Sequence, residues 1–180
     1  MKRPILMTGK LVSLGVYTES DAEDLFFESN DPEMNHYEAD LGKFSSVEGA
    51  KDYIKSHFTN SEKERVFVIV NNDDGRVIGN CGIYTINWKS RNGVVGFMLH
   101  KEYWGKGYGT EVAALLVKYA FEMINLRKLV SFVLEPNAAS KRVLEKTGFK
   151  ECGRFTKEVY VHDHGYVDQL SFEIFNQNPQ

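Results

Sequence analysis

Glycines at positions 105, 107 and 109 follow an apolar segment ending at Leu99 and open a long helical pattern. A residue without a Cβ lets ligand atoms come close to backbone N–H groups. The first N–H groups of a helix have no partner inside it, and the helix dipole adds positive character at that end. Together these features make an anion site suited to a phosphate or pyrophosphate. Two common phosphate loops fit poorly. A Walker A loop needs Gly-x-x-x-x-Gly-Lys-Ser/Thr, but here Lys106 precedes Gly107 and no Gly-Lys-Ser or Gly-Lys-Thr occurs. A dinucleotide fingerprint needs Gly-x-Gly-x-x-Gly at the start of a βαβ unit, whereas this loop reads Gly-x-Gly-x-Gly. On spacing alone, a helix-start turn that holds no ligand stays open beside the anion site.

Other residue types invite chemistry but lack company. His162-Asp163-His164 has metal-ligand character, yet Gly165 marks it as a hairpin turn and no further ligands cluster nearby, so no metal site is expected. Cys81 and Cys152 belong to no Cys-x-x-Cys or Cys/His cluster and read as free thiols in a reducing compartment. Asn137 stands where a helix N-cap is expected, and Ser140 follows on the first turn.

The elements that must position these residues follow from periodicity. Residues 9–17 read as a first strand. Ser20 caps a helix over 21–30 with Leu25 and Phe26 on its apolar side, ended by Asp31-Pro32. Residues 46–58 form a second helix. The strands 66–70, 77–86 and 94–99 are joined by turns at 71–75 and at Asn92-Gly93, which makes an antiparallel meander. A helix over 107–124 carries Ala113, Leu116, Val117, Ala120 and Ile124 as its stripe. A nearly all-apolar strand follows at 129–134. A helix from Pro136-Asn137 ends at Gly148. Two closing strands lie at 149–160 and 167–175. The order β-α-α-β-β-β-α-β-α-β-β specifies an α/β (α+β) fold with a mixed, mostly antiparallel sheet and about four flanking helices.

The 180 residues suit one domain, expected to span 1–180. Hydrophobic residues make up 42% and charged residues 26%, an ordinary globular composition. A net charge of −3 gives no electrostatic footprint for nucleic acid. No apolar run approaches the length of a membrane span or of a signal peptide core, so a cytoplasmic location is expected.

Residues 94–149 resemble the GNAT superfamily of N-acetyltransferases, specifically its RimJ/RimL-like branch. The superfamily pattern Gln/Arg-x-x-Gly-x-Gly/Ala falls on Trp104-Gly105-Lys106-Gly107-Tyr108-Gly109. Trp104 departs at the first position, but Trp-Gly-Lys-Gly-Tyr followed by Glu111 is typical of the branch. Asn137-Ala138-Ala139-Ser140 and Glu145-Lys146-Thr147-Gly148-Phe149 match its Asn-x-x-Ser-x-x-x-x-Glu-Lys-x-Gly-Phe segment.

The resemblance implies a GNAT-like fold, acetyl-CoA as cofactor, and an amine acceptor, either a protein N-terminus or a small molecule. It implies that Gly105, Lys106, Gly107, Tyr108, Gly109 and Thr110 bind the pyrophosphate, with Trp104 also at the cofactor. A splayed strand would bind the pantetheine arm through the backbone of Phe97, Met98 and Leu99, with Gly96 at a bulge or bend. Asn137 would contact the pantetheine region, and Ser140 would protonate the leaving thiolate. Leu144 stands where many relatives have a tyrosine. Val94 and Val95 stand where many have a glutamate base, which leaves His100, Glu135, Tyr84 or an ordered water as candidates. The acceptor site is expected to involve the first two helices and their loop, roughly 30–44, with the final hairpin, and its candidates are Tyr37, Glu38 and Asp40. A monomer or homodimer is expected. A non-catalytic acyl-CoA-binding module and a nucleotide-phosphate-binding domain are the competing readings.

Overall fold

A computed structural model describes residues 3–37, 43–58 and 61–177. Among them, eight strands build one sheet in the order β1-β2-β3-β4-β5-β6-β8-β7. The strands are β1 (Ile5–Thr8), β2 (Val12–Val16), β3 (Arg65–Asn71), β4 (Val77–Asn87), β5 (Asn92–Leu99), β6 (Lys128–Leu134), β7 (Lys150–Val161) and β8 (Gly165–Phe175). All neighbouring pairs are antiparallel except β5 and β6. The helices are α1 (Ala22–Asn30), α2 (Val47–Tyr53), α3 (Tyr108–Lys118) and α4 (Ala138–Lys146).

Period-two alternation sends side chains of one strand to two cores. On β3, Phe67 and Ile69 join the larger core, whereas Val66 and Val68 join the smaller one. The larger core lies under α3 and α4 and includes Val112, Leu116, Leu144, Leu129 and Phe172. Ala22, Leu25 and Ala50 of α1 and α2 cover the opposite face with Tyr17, Phe44 and Ile54. Ser46 caps α2 by accepting the N–H of Gly49 at 3.1 Å.

Four expectations need correction. β1 is an additional strand, in a hairpin with β2. Its burial pattern turns only Met7 inward, so it carries almost no alternation signal. Ser20 does not cap α1. Thr18 donates both its N–H and its hydroxyl to the Asp21 carboxylate, at 2.6 and 2.9 Å, so the turn starts earlier. Asn92 and Gly93 belong to β5 rather than to a turn. Gly96 holds no bulge, because its pairing with Gly82 is regular. The β4–β5 ladder shifts register only between Tyr84 and Asn87. The β3–β4 ladder shifts around Gly79, where Met98 O passes 2.1 Å from the place a Cβ would occupy.

The β1–β2 hairpin is fastened to the start of α3 by one side chain. The Glu111 carboxylate accepts the N–H groups of Lys10, Leu11 and Val12 at 2.7, 2.6 and 2.9 Å. Gly9 leaves room for it, since a Cβ there would stand 2.7 Å from Glu111 Cδ. Hydrogen bonds to a charged acceptor stabilise more than neutral ones. Glu111→Ala is therefore expected to lower unfolding free energy by about 2–3 kcal/mol, read as a lower urea midpoint. A wild-type midpoint would show that the clamp contributes nothing.

Candidate active site

The three glycines have two different jobs. Gly105 and Gly107 have φ of +71° and +92°, a left-handed backbone that L side chains avoid. A Cβ at Gly105 would meet nothing within 4 Å, and one at Gly107 only Leu11 at 3.9 Å, so space is not what excludes side chains there. Gly109 lies inside α3 without positive φ. A Cβ there would stand 3.3 Å from Phe97, 3.6 Å from Val143 and 3.7 Å from Leu99. Its role is to let α3 press against β5 and α4.

The loop is pinned at its base. Trp104 Nε1 donates to Leu99 O at 2.7 Å, and Lys106 Nζ donates to Glu102 O at 2.7 Å. Gly107 is the N-cap of α3, and its carbonyl accepts Glu111 N at 3.2 Å. Among the described residues, the N–H groups of Tyr108, Gly109 and Thr110 have no backbone or side-chain acceptor, as expected for a first helical turn. Left-handed glycines followed by free N–H groups at a helix start make a cradle that suits a pyrophosphate.

Beside the loop the sheet parts. β5 pairs with β6 only at Asn92↔Lys128, Gly93↔Leu129 and Val94↔Val130. Beyond Val94, β5 continues to Leu99 and β6 to Leu134 without pairing. At the fork, the buried Ser131 hydroxyl donates to Val95 O at 3.1 Å. Val95 O therefore faces β6, and strand alternation turns the backbone groups of Phe97 and Leu99 the same way. Those of Met98 face β4, as does His100 N, which donates to Ile78 O at 2.9 Å.

α4 starts at the loop's flank. Asn137 is its N-cap, with Oδ1 accepting the Ser140 N–H at 3.0 Å. Val143 lies next to Gly109, and Ser140, three residues earlier, shares that face of the helix. Among the described residues, the Ser140 hydroxyl makes no hydrogen bond, so it is not spent on the backbone.

The three candidate bases stand in different surroundings. Glu135 is exposed and bound to Arg154, which also holds Asp168. Tyr84 packs in the smaller core, its ring over Gly82 and Gly96. His100 lines a cavity of about 250 Å³ between α1 and the end of β5. Its Nε2 lies 2.7 Å from Glu28 Oε1, and Asn80 Nδ2 donates to Glu28 Oε2 at 2.8 Å. Glu28 exposes only 5% of its side chain. The hydrogen bond to Glu28 pushes the His100 pKa up from its ordinary value, against the opposing effect of burial. Asp24, Asp31, Glu33, Lys101 and Glu102 complete the charged lining. Lys101 is bridged to Glu33.

Sequence reasoning missed Glu28 and Asn80. Glu28 follows Leu25 at helical spacing, on a face that turns inward, and this acid on an apolar stripe was the available signal. Asn80 similarly sits between the buried Ile78 and Cys81. Of the acceptor-site candidates, Tyr37 packs against Leu134, Val161 and Val167, which joins the segment after α1 to the β7–β8 hairpin. Glu38 and Asp40 lie outside the described residues. His162 and Asp163 share a hydrogen bond of 3.0 Å at the exposed hairpin tip.

Comparisons with known proteins converge on one family. The acetyltransferase (GNAT) domain model matches residues 12–150. The uncharacterized N-acetyltransferase YoaA of Bacillus subtilis is 29% identical over 165 residues, 91% of this chain and 92% of that protein. Spermidine N(1)-acetyltransferase of Escherichia coli is 30% identical over 114 residues, 63% of this chain and 60% of that one. The crystal structure of spermidine N-acetyltransferase from Vibrio cholerae, in complex with CoA and spermine, shares the fold. Its TM-score is 0.83 at 21% identity, over 93% of this chain and 96% of that one. With the parted strands and the glycine loop in place, the chain belongs to the GNAT acetyltransferase family and is an acetyl-CoA-dependent N-acetyltransferase.

Proposed function

We propose that residues 1–180 act as one domain of the RimJ/RimL-like branch that acetylates a primary amine of a small polycation. The Trp-Gly-Lys-Gly-Tyr loop and the Asn137 to Phe149 segment support the branch. The substrate class rests on one observation. The cavity at the end of β5 carries carboxylates from Asp24, Glu28, Asp31, Glu33 and Glu102, and the only lysine lining it among the described residues is already bridged to Glu33. Two relatives named for spermidine acetylation point the same way.

When bound, acetyl-CoA supplies an acetyl group activated as a thioester. Free N–H groups from Tyr108 to Thr110, with the left-handed turn at Gly105 and Gly107, hold the pyrophosphate. Trp104 and Lys106 brace that turn. In the gap beyond Val94, the backbone of Phe97 and Leu99 would hold the pantetheine arm, and the N–H of Phe97 would donate to the thioester carbonyl oxygen. Asn137 Oδ1 is committed to its cap, which leaves its amide N–H₂ for the arm. Ser140 brings an uncommitted hydroxyl to the same side, suited to passing a proton to the departing sulfur.

These assignments are separable by experiment. Acetyl-CoA and coenzyme A are expected to raise the melting temperature, and ATP is not. Gly107→Val should abolish this shift while the fold persists, because the added side chain has room but cannot adopt the φ of +92° without strain. Unchanged coenzyme A affinity would sink the loop assignment. Ser140→Ala is expected to lower kcat by about 10- to 100-fold with little change in acetyl-CoA affinity, and wild-type kinetics would remove Ser140 from the mechanism. In an acceptor screen, kcat/KM should be higher for spermidine than for a monoamine or a peptide N-terminus. Preference for the peptide or the monoamine would refute the polycation.

A further inference from the structure

The amine substrate starts as an ammonium ion, and it must lose a proton before its nitrogen can attack. We infer that His100 takes this proton at Nδ1 and that the buried Glu28 is the residue that orients it, a pairing that builds on the acceptor site proposed above. Three geometric facts carry the inference. Glu28 Oε1 meets His100 at Nε2, not at Nδ1. An ionised carboxylate only accepts hydrogen bonds, so a neutral His100 must carry its hydrogen on Nε2 and keep the Nδ1 lone pair free. Among the described residues, Nδ1 has no hydrogen-bond partner, and the ring is partly exposed at the cavity wall.

Glu28 itself cannot turn away. Its other oxygen is held by Asn80 Nδ2 at 2.8 Å, from the strand next to β5, and Asn80 pairs directly with Met98. The carboxylate is thus fixed from the sheet on one side and fixes the imidazole on the other. This is the base–orienter arrangement that hydrolytic triads use, with a carboxylate on α1 and a histidine at the end of β5. The neighbouring charges support proton acceptance. Asp24 on α1, Asp31 and Glu33 after it, and Glu102 beyond the strand face the same cavity, with Lys101 the one lysine there among the described residues. Glu28, Glu102 and Asp24 all favour the imidazolium. The same carboxylates attract the cationic substrate that delivers the proton.

The balance of the step is simple. The ammonium gives one proton to His100 Nδ1, and the resulting neutral nitrogen forms a bond to the acetyl carbon as the carbon–sulfur bond breaks. A second nitrogen-bound proton ends on the sulfur as coenzyme A leaves as the thiol. His100 then releases its proton to solvent through the open cavity. The sign of the pH dependence follows. His100 must be neutral to accept a proton, so kcat/KM rises with pH through the imidazolium pKa, which Glu28 holds above the ordinary histidine value.

Two variants and two readouts test the pairing. In Glu28→Gln, loss of the negative partner should lower the His100 pKa. The acid limb of the kcat/KM profile should move to lower pH, and its plateau should fall. In His100→Gln, that limb should disappear and the plateau should fall by about 100-fold. A structural role alone would lower activity without moving the limb. The second readout needs no substrate: the NMR titration of the His100 ring should show hydrogen on Nε2 in the neutral wild-type protein and a lowered pKa in Glu28→Gln. The inference is overturned by wild-type pH profiles in both variants. It is equally overturned by an unshifted His100 titration in Glu28→Gln or by a neutral ring carrying hydrogen on Nδ1. Failure of the polycation assignment would appear separately, as acetyl transfer to another amine with the His100 limb intact.

Discussion

A parallel pair of strands that stops pairing partway leaves backbone N–H and C=O groups facing a gap, and interior groups of that kind cost free energy unless they find partners. The fork after Val94 and Val130 is therefore the constraint around which the molecule is arranged. Beyond the fork, Val95 and Leu99 anchor β5 in the larger core. Ser131 satisfies one carbonyl at its apex, and Trp104 satisfies another at its mouth. Between these two points the exposed edge of β5 is left for a ligand that can pair with it as an extended strand would.

The glycine motif shows how one sequence pattern can mix unrelated causes. Gly107 falls on the invariant glycine of the superfamily pattern and has a φ that side chains avoid. Gly109 falls on the Gly/Ala position and sits in ordinary helix, where a Cβ would press on Phe97 by a few tenths of an ångström. A methyl group can be accommodated by that movement, so alanine is tolerated at the second position and excluded at the first. Spacing alone suggested one shared reason, close ligand approach, for all three glycines.

Much of the scaffold was legible because the central elements are strongly periodic. The β3–β4–β5 meander, α3 and the nearly all-apolar β6 are largely buried, and their sequences say so. The misses fall where burial is slight or partners are remote. β1 turns one residue inward and offers no alternation to read. The cap of α1 was displaced because Thr18, Asp21 and Arg3 form a network, with Arg3 bridging to Asp21 at 2.5 Å. The pairing of Glu28 with His100 joins residues that are 72 positions apart. No local pattern could assign it, although a carboxylate on an apolar helix face was a visible anomaly. The fork itself was expected from family likeness, while its apex at Ser131 had no signature.

Glu111 has a consequence beyond holding the hairpin. It lies in the first turn of α3, at the same positive helix end that the loop offers to a pyrophosphate, so a carboxylate there could act as a built-in competitor. Three N–H groups from Lys10, Leu11 and Val12 absorb its charge and aim it at the hairpin. The opening strands thus serve as electrical insulation for a site about a hundred residues away in the chain. Loosening that hairpin would free an internal anion to contest the cradle, and the tightness of cofactor binding would register the integrity of a distant edge of the sheet.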